Sequence, residues 1–95
     1  MKKLNLAIIG QGRSGKGIHG VYYRSENNKY YTVKYVVDED DYRRELARTL
    51  YPGCTVFDDY RALFDYKDID IVVNASFSNQ HYPITLDLLQ HGLNV

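Results

Sequence analysis

A glycine-rich turn between an apolar run and a helical pattern constrains this sequence more than any other feature. The apolar run is Leu4–Ile9, and the turn that follows it, residues 10–15, reads Gly-Gln-Gly-Arg-Ser-Gly. A short, almost continuous apolar run is typical of a strand that is buried on both faces of a parallel sheet. Apolar side chains then recur at helical spacing at Ile18, Val21 and Tyr22. We therefore expect the chain to begin with a strand, a tight turn and a helix.

The turn matches the pattern G-x-G-x-x-G, in which each glycine has a physical role in binding a dinucleotide. Gly10 permits the tight turn, Gly12 lets the backbone approach a pyrophosphate, and Gly15 allows the helix to pack closely on the strand. Backbone N–H groups and the positive end of the helix dipole attract the anion. The residues expected to bind the cofactor here are Gly10, Gln11, Gly12, Arg13, Ser14 and Gly15. A purely structural turn is the alternative, but the strand before it and the helix after it favour a nucleotide.

Strands and helices alternate along the rest of the chain. The further predicted strands are Tyr31–Val37, Cys54–Phe57, Ile69–Val73 and the beginning of a fifth at Leu93–Val95. This order predicts one α/β domain over residues 1–95, a doubly wound parallel sheet of the Rossmann type with about five strands. We expect the fifth strand to be truncated, so that the sequence reads as the N-terminal portion of a longer protein.

The helices between these strands carry recognisable start and stop signals. Their apolar stripes lie at Tyr42, Leu46 and Leu50 and at Ile84, Leu88 and Leu89. Pro52-Gly53 ends the first of these helices, and Asp58-Asp59 can cap a brief helix before the fourth strand. Pro83 suits the first turn of the last helix, and Gly92 stands where that helix should end.

Composition and charge exclude several classes of protein. Twelve Lys and Arg balance twelve Asp and Glu, so no general attraction to nucleic acid is expected. No apolar stretch approaches the roughly 20 residues that span a bilayer, which excludes a membrane protein. Cys54 is the single cysteine, and the histidines have no further ligands at metal-site spacing, so we expect neither a disulfide nor a metal site. A cytoplasmic protein is expected.

Asp38 follows the glycine turn at about the 20-residue separation expected of a carboxylate that binds the adenosine ribose. Three more acidic residues follow at positions 39–41, so a 2′-phosphate would enter a negative field, while Arg43 and Arg44 lie further along the helix. We therefore expect NAD rather than NADP. The alternative is that Asp38 only caps the following helix, a role for which its acidic neighbours are equally suited.

Polar residues follow the fourth predicted strand, at the edge where sheets of this kind bind ligands. They run from position 74 to position 81 and include Ser76, Ser78 and His81, and we expect this loop to face the cofactor. His81 either approaches the nicotinamide or its ribose, or hydrogen-bonds nearby backbone at the helix terminus. His19 is expected to pack locally, and His91 to complement the dipole at a helix C-terminus.

Three segments make the sequence resemble the Gfo/Idh/MocA family of oxidoreductases. They are the glycine turn, the strand IDIVVNAS at residues 69–76, and Ser78-Asn79-Gln80-His81 where the family commonly has N-x-x-H. The stretch from His81 to Gly92 is similar to the helix that precedes the family's E-K-P motif, and the sequence stops just before that motif. One departure is that the family's A-T-P-N run is here Ala-Ser-Phe-Ser, at positions 75–78. The likeness covers essentially the whole chain and the first third of a typical member.

This resemblance implies roles for particular residues. The glycines of the turn would hold the pyrophosphate, Asp38 the adenosine ribose, and Ser76, Ser78 and His81 the nicotinamide side. In the family, the lysine of E-K-P and a histidine of a following α/β domain handle the proton of the substrate hydroxyl. Neither has a counterpart within residues 1–95, so the catalytic residues are unknown and this portion alone is expected to be inert.

Two classes of function stay open at this stage. The first is an oxidoreductase that transfers hydride between NAD and a secondary alcohol or carbonyl of a sugar, inositol or related polyol, which a C-terminal substrate domain would bind. The second is a non-enzymatic module in which NAD binding regulates a partner. Another adenosine ligand, such as a methyl donor, is a third possibility. We also expect a homo-oligomer, because an exposed sheet edge promotes self-association.

Overall fold

Four strands and three helices form the described part of the chain. The computed structural model describes residues 3–10, 31–75 and 78–95, with residues 78–81 described as helical backbone. The strands are β1 (Leu4–Ile9), β2 (Tyr31–Val37), β3 (Thr55–Phe57) and β4 (Ile71–Asn74). The helices are α1 (Asp41–Leu50), a 3₁₀ helix (Tyr60–Asp65) and α2 (Ser78–Gln90). The helix predicted around Ile18 and Tyr22 lies outside the described residues.

The strands form one parallel sheet in the order β3-β2-β1-β4. Ile9, the last residue of the inner strand β1, pairs with Val37 of β2 on one side and with Asn74 of β4 on the other. The chain therefore builds the sheet outwards from β1 in one direction and then returns to its other side. This arrangement confirms the predicted α/β fold of the doubly wound Rossmann type.

Among the described residues, a single backbone bond joins the predicted fifth strand to the sheet. The N–H of Val72 donates to the carbonyl oxygen of Asn94 at 2.7 Å, and the side chain of Asn94 donates to the carbonyl oxygen of Asp70 at 3.2 Å. Residues 93–95 thus run beside β4 but form no regular strand. Within the described ranges the sheet has four strands, where the sequence predicted about five.

Apolar side chains cover both faces of the sheet. The buried residues of one layer, against α2 and the 3₁₀ helix, are Ala7, Ile9, Tyr35, Val37, Leu63, Val72 and Leu88. Those of the other layer, against α1, are Leu6, Ile8, Val33, Val36, Ala47 and Tyr51. Burial on both faces is what a parallel sheet requires, and it explains why β1 is almost continuously apolar.

A β-bulge interrupts the pairing of β1 with β2. Leu6 pairs with Val33 but Ala7 pairs with Tyr35, so that Lys34 is passed over in the register. Because side chains alternate between the faces of a strand, the extra residue places Val33 and Tyr35 in opposite layers. The side chain of Lys34 forms an ion pair with Asp68.

The last helix begins earlier than the sequence predicted. Helix α2 starts at Ser78, so Pro83 lies inside the helix and the prediction that it occupies the first turn is wrong. The prediction used the apolar positions Ile84 and Leu88, which mark only the turns that pack on the sheet. The polar first turn of the helix has no apolar periodicity to reveal it. Within the described ranges no helix is both long enough and apolar enough to cross a membrane.

Gly92 ends α2 as predicted. It has a φ of 82°, in the left-handed region that favours glycine. Its N–H donates to the carbonyl oxygen of Leu89 at 3.0 Å, and the N–H of Leu93 donates to that of Leu88 at 3.1 Å. These two bonds form a Schellman motif, and Leu93 packs against the same apolar layer that buries Leu88.

Candidate functional site

The carboxyl ends of β1, β2 and β4 lie side by side at one edge of the sheet. The N–H of Gly10 donates to the carbonyl oxygen of Val37 at 2.7 Å, and that of Ala75 donates to the carbonyl oxygen of Ile9 at 2.8 Å. The strand order reverses beside β1, and ligands of doubly wound sheets bind at such a reversal. The glycine turn, Asp38 and the loop after β4 therefore leave the sheet at neighbouring positions.

Gly10 begins the turn in a conformation that favours glycine. Its φ is 92°, which a residue with a Cβ adopts only with strain. The position predicted to begin the tight turn therefore has a backbone conformation that glycine adopts freely. The other predicted residues of the turn, Gln11, Gly12, Arg13, Ser14 and Gly15, lie outside the described residues.

Asp38 combines a charge with burial at this edge. It follows β2 directly and is 8% exposed, and it is the one buried polar or charged residue in the described part of the chain. Its N–H donates to the carbonyl oxygen of Phe57 at 3.0 Å, which joins it to the end of β3. Carboxylates are rarely buried to this extent unless they have partners, so this position is suited to a carboxylate that accepts hydrogen bonds.

The helix cap is a different aspartate. Asp40 is the N-cap of α1, where its carboxylate accepts a hydrogen bond from the N–H of Arg43 at 3.2 Å. The carboxylate of Asp38 instead accepts from the N–H of Asp40 at 2.9 Å, across a short turn. The alternative role for Asp38, capping the helix, therefore belongs to Asp40.

The guanidinium of Arg44 lies at this edge of the sheet, whereas the sequence analysis placed Arg44 further along the helix from Asp38. Its Nη1 donates to the carbonyl oxygen of Asp38 at 2.6 Å, and its Nη2 forms an ion pair with the carboxylate of Asp41. The Arg44 side chain is 18% exposed and that of Asp41 is 92% exposed. The spacing of three residues between Asp41 and Arg44 on one helix is the sequence signal that could have revealed the pair.

The segment after β4 is described in part. The side chain of Asn74 donates to the hydroxyl of Thr85 at 2.9 Å, which ties the end of β4 to α2. Ser76 lies outside the described residues. Ser78 and His81 lie in the first turn of α2, whose N-terminus follows this edge of the sheet, and the directions of their side chains are outside the description.

His91 and Cys54 lie away from this edge. His91 is at the far end of α2, where its Nδ1 is 2.8 Å from the carbonyl oxygen of Asp87 and its ring stacks on Phe64 at 3.7 Å. Cys54 precedes β3, and its thiol donates to the carbonyl oxygen of Ala47 at 3.7 Å. Burial raises the pKa of the Cys54 thiol, which disfavours the reactive thiolate. His19 lies outside the described residues.

Comparison with known proteins relates the chain to a family. Residues 4–95 match the family model of the Gfo/Idh/MocA proteins, described as an oxidoreductase family with an NAD-binding Rossmann fold. A search of curated protein sequences gave no match.

Several solved structures share the fold. One is scyllo-inositol dehydrogenase from Lactobacillus casei with bound NAD(H) and scyllo-inositol, with a TM-score of 0.82 and 26% identity over 97% of this chain and 26% of that one. Another is myo-inositol 2-dehydrogenase from Lactobacillus plantarum, with a TM-score of 0.84 and 24% identity over 99% of this chain and 27% of that one. GenD2 from gentamicin A biosynthesis, in complex with NAD, has a TM-score of 0.85 and 24% identity over 100% and 26% of the two chains. This chain therefore spans about a quarter of the length of the structures that it matches.

Proposed function

The chain belongs to the Gfo/Idh/MocA oxidoreductase family and forms its NAD-binding Rossmann domain, and from this premise we propose which reaction and which residues are involved. The whole protein transfers hydride between NAD and a secondary alcohol or carbonyl. Residues 1–95 bind the cofactor, and a C-terminal α/β domain binds the substrate. The substrate is a sugar, an inositol or a related polyol, a class supported by the inositol dehydrogenases among the matching structures.

The observation that carries the proposal is the environment of Asp38. Its buried carboxylate stands at the carboxyl end of β2, one strand away from the turn that begins at Gly10. Asp40 is the N-cap of the helix, and the carboxylate of Asp38 accepts from the N–H of Asp40 rather than from a helical N–H. A carboxylate at this position in a doubly wound sheet accepts hydrogen bonds from the adenosine ribose hydroxyls.

We assign the remaining contacts by their place along the chain. The pyrophosphate binds to the turn, at Gly10, Gln11, Gly12, Arg13, Ser14 and Gly15. The nicotinamide and its ribose bind beside Ser76, Ser78 and His81, which follow β4 at the same edge. The two ends of the cofactor thus lie on either side of β1, where the strand order reverses.

The reaction divides between the two proposed domains. The alcohol carbon loses a hydride and its hydroxyl loses a proton, which leaves a carbonyl compound oxidised by two electrons. NAD held by the residues assigned above would supply the acceptor for this hydride. The proton needs a base within hydrogen-bond reach of the substrate oxygen, and we place that base in the substrate domain. Residues 1–95 alone are then inert.

We also propose that the protein is cytoplasmic, because its single cysteine is consistent with a reducing compartment.

Calorimetric titration of the chain with NAD, NADP and S-adenosylmethionine tests the cofactor assignment. We expect NAD to bind, NADP to bind more weakly, and the methyl donor not to bind. Asp38→Asn keeps an oxygen that can accept from the N–H of Asp40 but removes the charge. It should weaken NAD binding by about tenfold or more, since hydrogen bonds to charged groups are the stronger kind.

Asp58→Asn is the matched control for this variant. Asp58 is an exposed aspartate that follows β3 directly, so its replacement removes the same charge without touching Asp38. NAD affinity should be nearly unchanged. Binding of S-adenosylmethionine in place of NAD, or equal losses in the two variants, would refute the assignment.

A further inference from the structure

Two partners hold the guanidinium of Arg44: the carboxylate of Asp41 on the same helix and the carbonyl oxygen of Asp38 at the end of β2. The side chain of Arg44 is mostly buried, and its Nη1 donates to the carbonyl oxygen of Asp38 at 2.6 Å. The cation is therefore attached to the same residue whose carboxylate stands at the proposed ribose site. Removing the partner carboxylate of Asp41 leaves that backbone bond intact.

A guanidinium in this position has a known chemical use in cofactor selection. The planar fork of N–H donors binds phosphate in a bidentate manner, and an arginine close to the end of β2 accommodates the 2′-phosphate of NADP. In this chain, however, one terminal nitrogen of Arg44 is bonded to Asp38 and the other to the carboxylate of Asp41. The arginine is thus near the site but already engaged at both of its terminal nitrogens.

We propose that Asp41 determines the preference for NAD over NADP by engaging the guanidinium of Arg44, which would otherwise bind a 2′-phosphate. This proposal depends on the cofactor site assigned above. Asp41 contributes in two ways: it occupies Nη2 of Arg44, and its negative charge offsets the charge that would attract a phosphate. Because the Asp41 side chain is 92% exposed, its replacement opens no cavity and leaves the apolar layers intact.

The test is the ratio of the dissociation constants for NADP and NAD, measured by calorimetry on the full chain. Asp41→Asn should lower this ratio by about fivefold or more, roughly the effect of one unit charge at about 4 Å in water. Glu45→Gln is the matched control, because Glu45 is an exposed acid on the same helix that pairs with Arg48. That variant should leave the ratio nearly unchanged.

A double variant identifies the cation that responds. Arg44→Gln keeps a side-chain N–H donor but removes the positive charge. Introduced together with Asp41→Asn, it should return the ratio to the value of the unmodified chain or above it. The same change made alone should shift the ratio less, because Asp41 already engages the arginine.

Three results would overturn the proposal. An equal ratio in Asp41→Asn and Glu45→Gln would make Asp41 one surface charge among several. A shift that persists in the double variant would belong to another cation, such as Arg43. Failure of the unmodified chain to bind NAD would refute the proposed function as well. If NAD binds and Asp38→Asn weakens that binding, an unresponsive ratio refutes only the role of Asp41.

Discussion

Tyr35 shows how much a single residue connects in this fold. Its ring lies in the apolar layer under the 3₁₀ helix, with ring centroids 4.9 Å from Tyr66 and 6.2 Å from Phe57. Its hydroxyl donates to the carboxylate of Asp68 at 2.7 Å. Burial, followed by the hydrogen bond to Asp68 and the negative charge of that carboxylate, raises the pKa of Tyr35 to about 12. The phenol thus fastens the middle of β2 to the segment that leads into β4.

This raised pKa predicts a loss of stability in alkaline solution. The unfolded chain releases the Tyr35 proton near pH 10, its ordinary value, whereas the folded chain retains the proton until about pH 12. Above pH 10 the unfolded state therefore binds fewer protons than the folded state, and the free energy of unfolding falls as the pH rises through this window. Urea unfolding at a series of pH values between 9 and 12 measures the effect.

Tyr35→Phe should weaken this pH dependence because it removes the titrating hydroxyl. Tyr42→Phe is the control, since Tyr42 is 75% exposed and lies outside the two apolar layers. If both variants kept the alkaline slope of the unmodified chain, ionisation of Tyr35 would not be its cause.

Among the elements, α2 shows most clearly that neighbouring apolar residues differ in their roles. Leu88 is fully buried against the sheet, whereas Leu89, the next residue, is 54% exposed. Tyr82 and Leu86 are also exposed, so the helix has an apolar stripe on its outer side as well as its inner side. The sequence pattern marked both leucines as apolar helix positions and could not separate them.

Replacing each leucine by alanine tests this difference. Leu88→Ala should destabilise the chain by about 2–5 kcal/mol, because it leaves a cavity in a packed layer. Leu89→Ala should change the free energy of unfolding by about 0.5 kcal/mol or less, as is usual for surface substitutions. The midpoints of urea unfolding measure both values. Equal losses in the two variants would contradict the packing of α2.

The sequence predicted the bounds of an element where the residues at those bounds determine them. The apolar runs gave β1 and β2 with the observed bounds, and Gly92 gave the end of α2, since each depends on burial or backbone freedom at the site itself. For the fourth strand, the apolar run at 69–73 placed the start two residues early, whereas pairing with β1 begins at Ile71. The preceding residues are joined to β1 by one backbone bond, from the N–H of Asp70 to the carbonyl oxygen of Asn5 at 2.9 Å, and by a bond from the N–H of Asn5 to the carboxylate of Asp70 at 2.6 Å.

Within the candidate site, the sequence predicted the position of Asp38 at the end of β2 and missed the approach of Arg44 to it. The separation between a glycine turn and the end of the next strand is similar in domains of this type, so that counting from the turn is enough to place Asp38. The approach of Arg44 to the Asp38 carbonyl oxygen instead depends on how α1 packs on β2 and on the choice of Asp40 as the cap. Neither of these follows from residue types alone, because the acidic run at residues 38–41 offers several aspartates that could cap the helix.

At the scale of the whole molecule, apolar layers cover both faces of the sheet that the described residues form. In that part of the chain β4 has one backbone bond on its outer side, to Asn94, and the outer face of α2 exposes Leu86 and Leu89. Val95 is also 44% exposed. Unpaired strand edges beside exposed apolar side chains favour association with another chain.

We therefore expect the chain to form homo-oligomers in solution. Sedimentation velocity over a wide range of concentrations should show a sedimentation coefficient that rises with concentration, as mass action requires. Leu89→Lys should reduce the association, and Glu45→Lys, an exposed change on α1, serves as the control for added positive charge. A monomer at every concentration would refute the expectation.

The β-bulge at Lys34 has a consequence for how this domain can vary. Val33, before the bulge, lies in the layer against α1, whereas Tyr35 and Val37, after it, lie in the layer against α2 and the 3₁₀ helix. The alternation of side chains between the two faces therefore shifts by one residue at Lys34. Loss of Lys34 alone would let Val33 pair with Leu6 and Tyr35 with Ala7 in an uninterrupted register, so the later side chains of β2 would keep their faces. A change in the length of this strand is therefore best tolerated at the bulge itself, because Lys34 belongs to neither apolar layer.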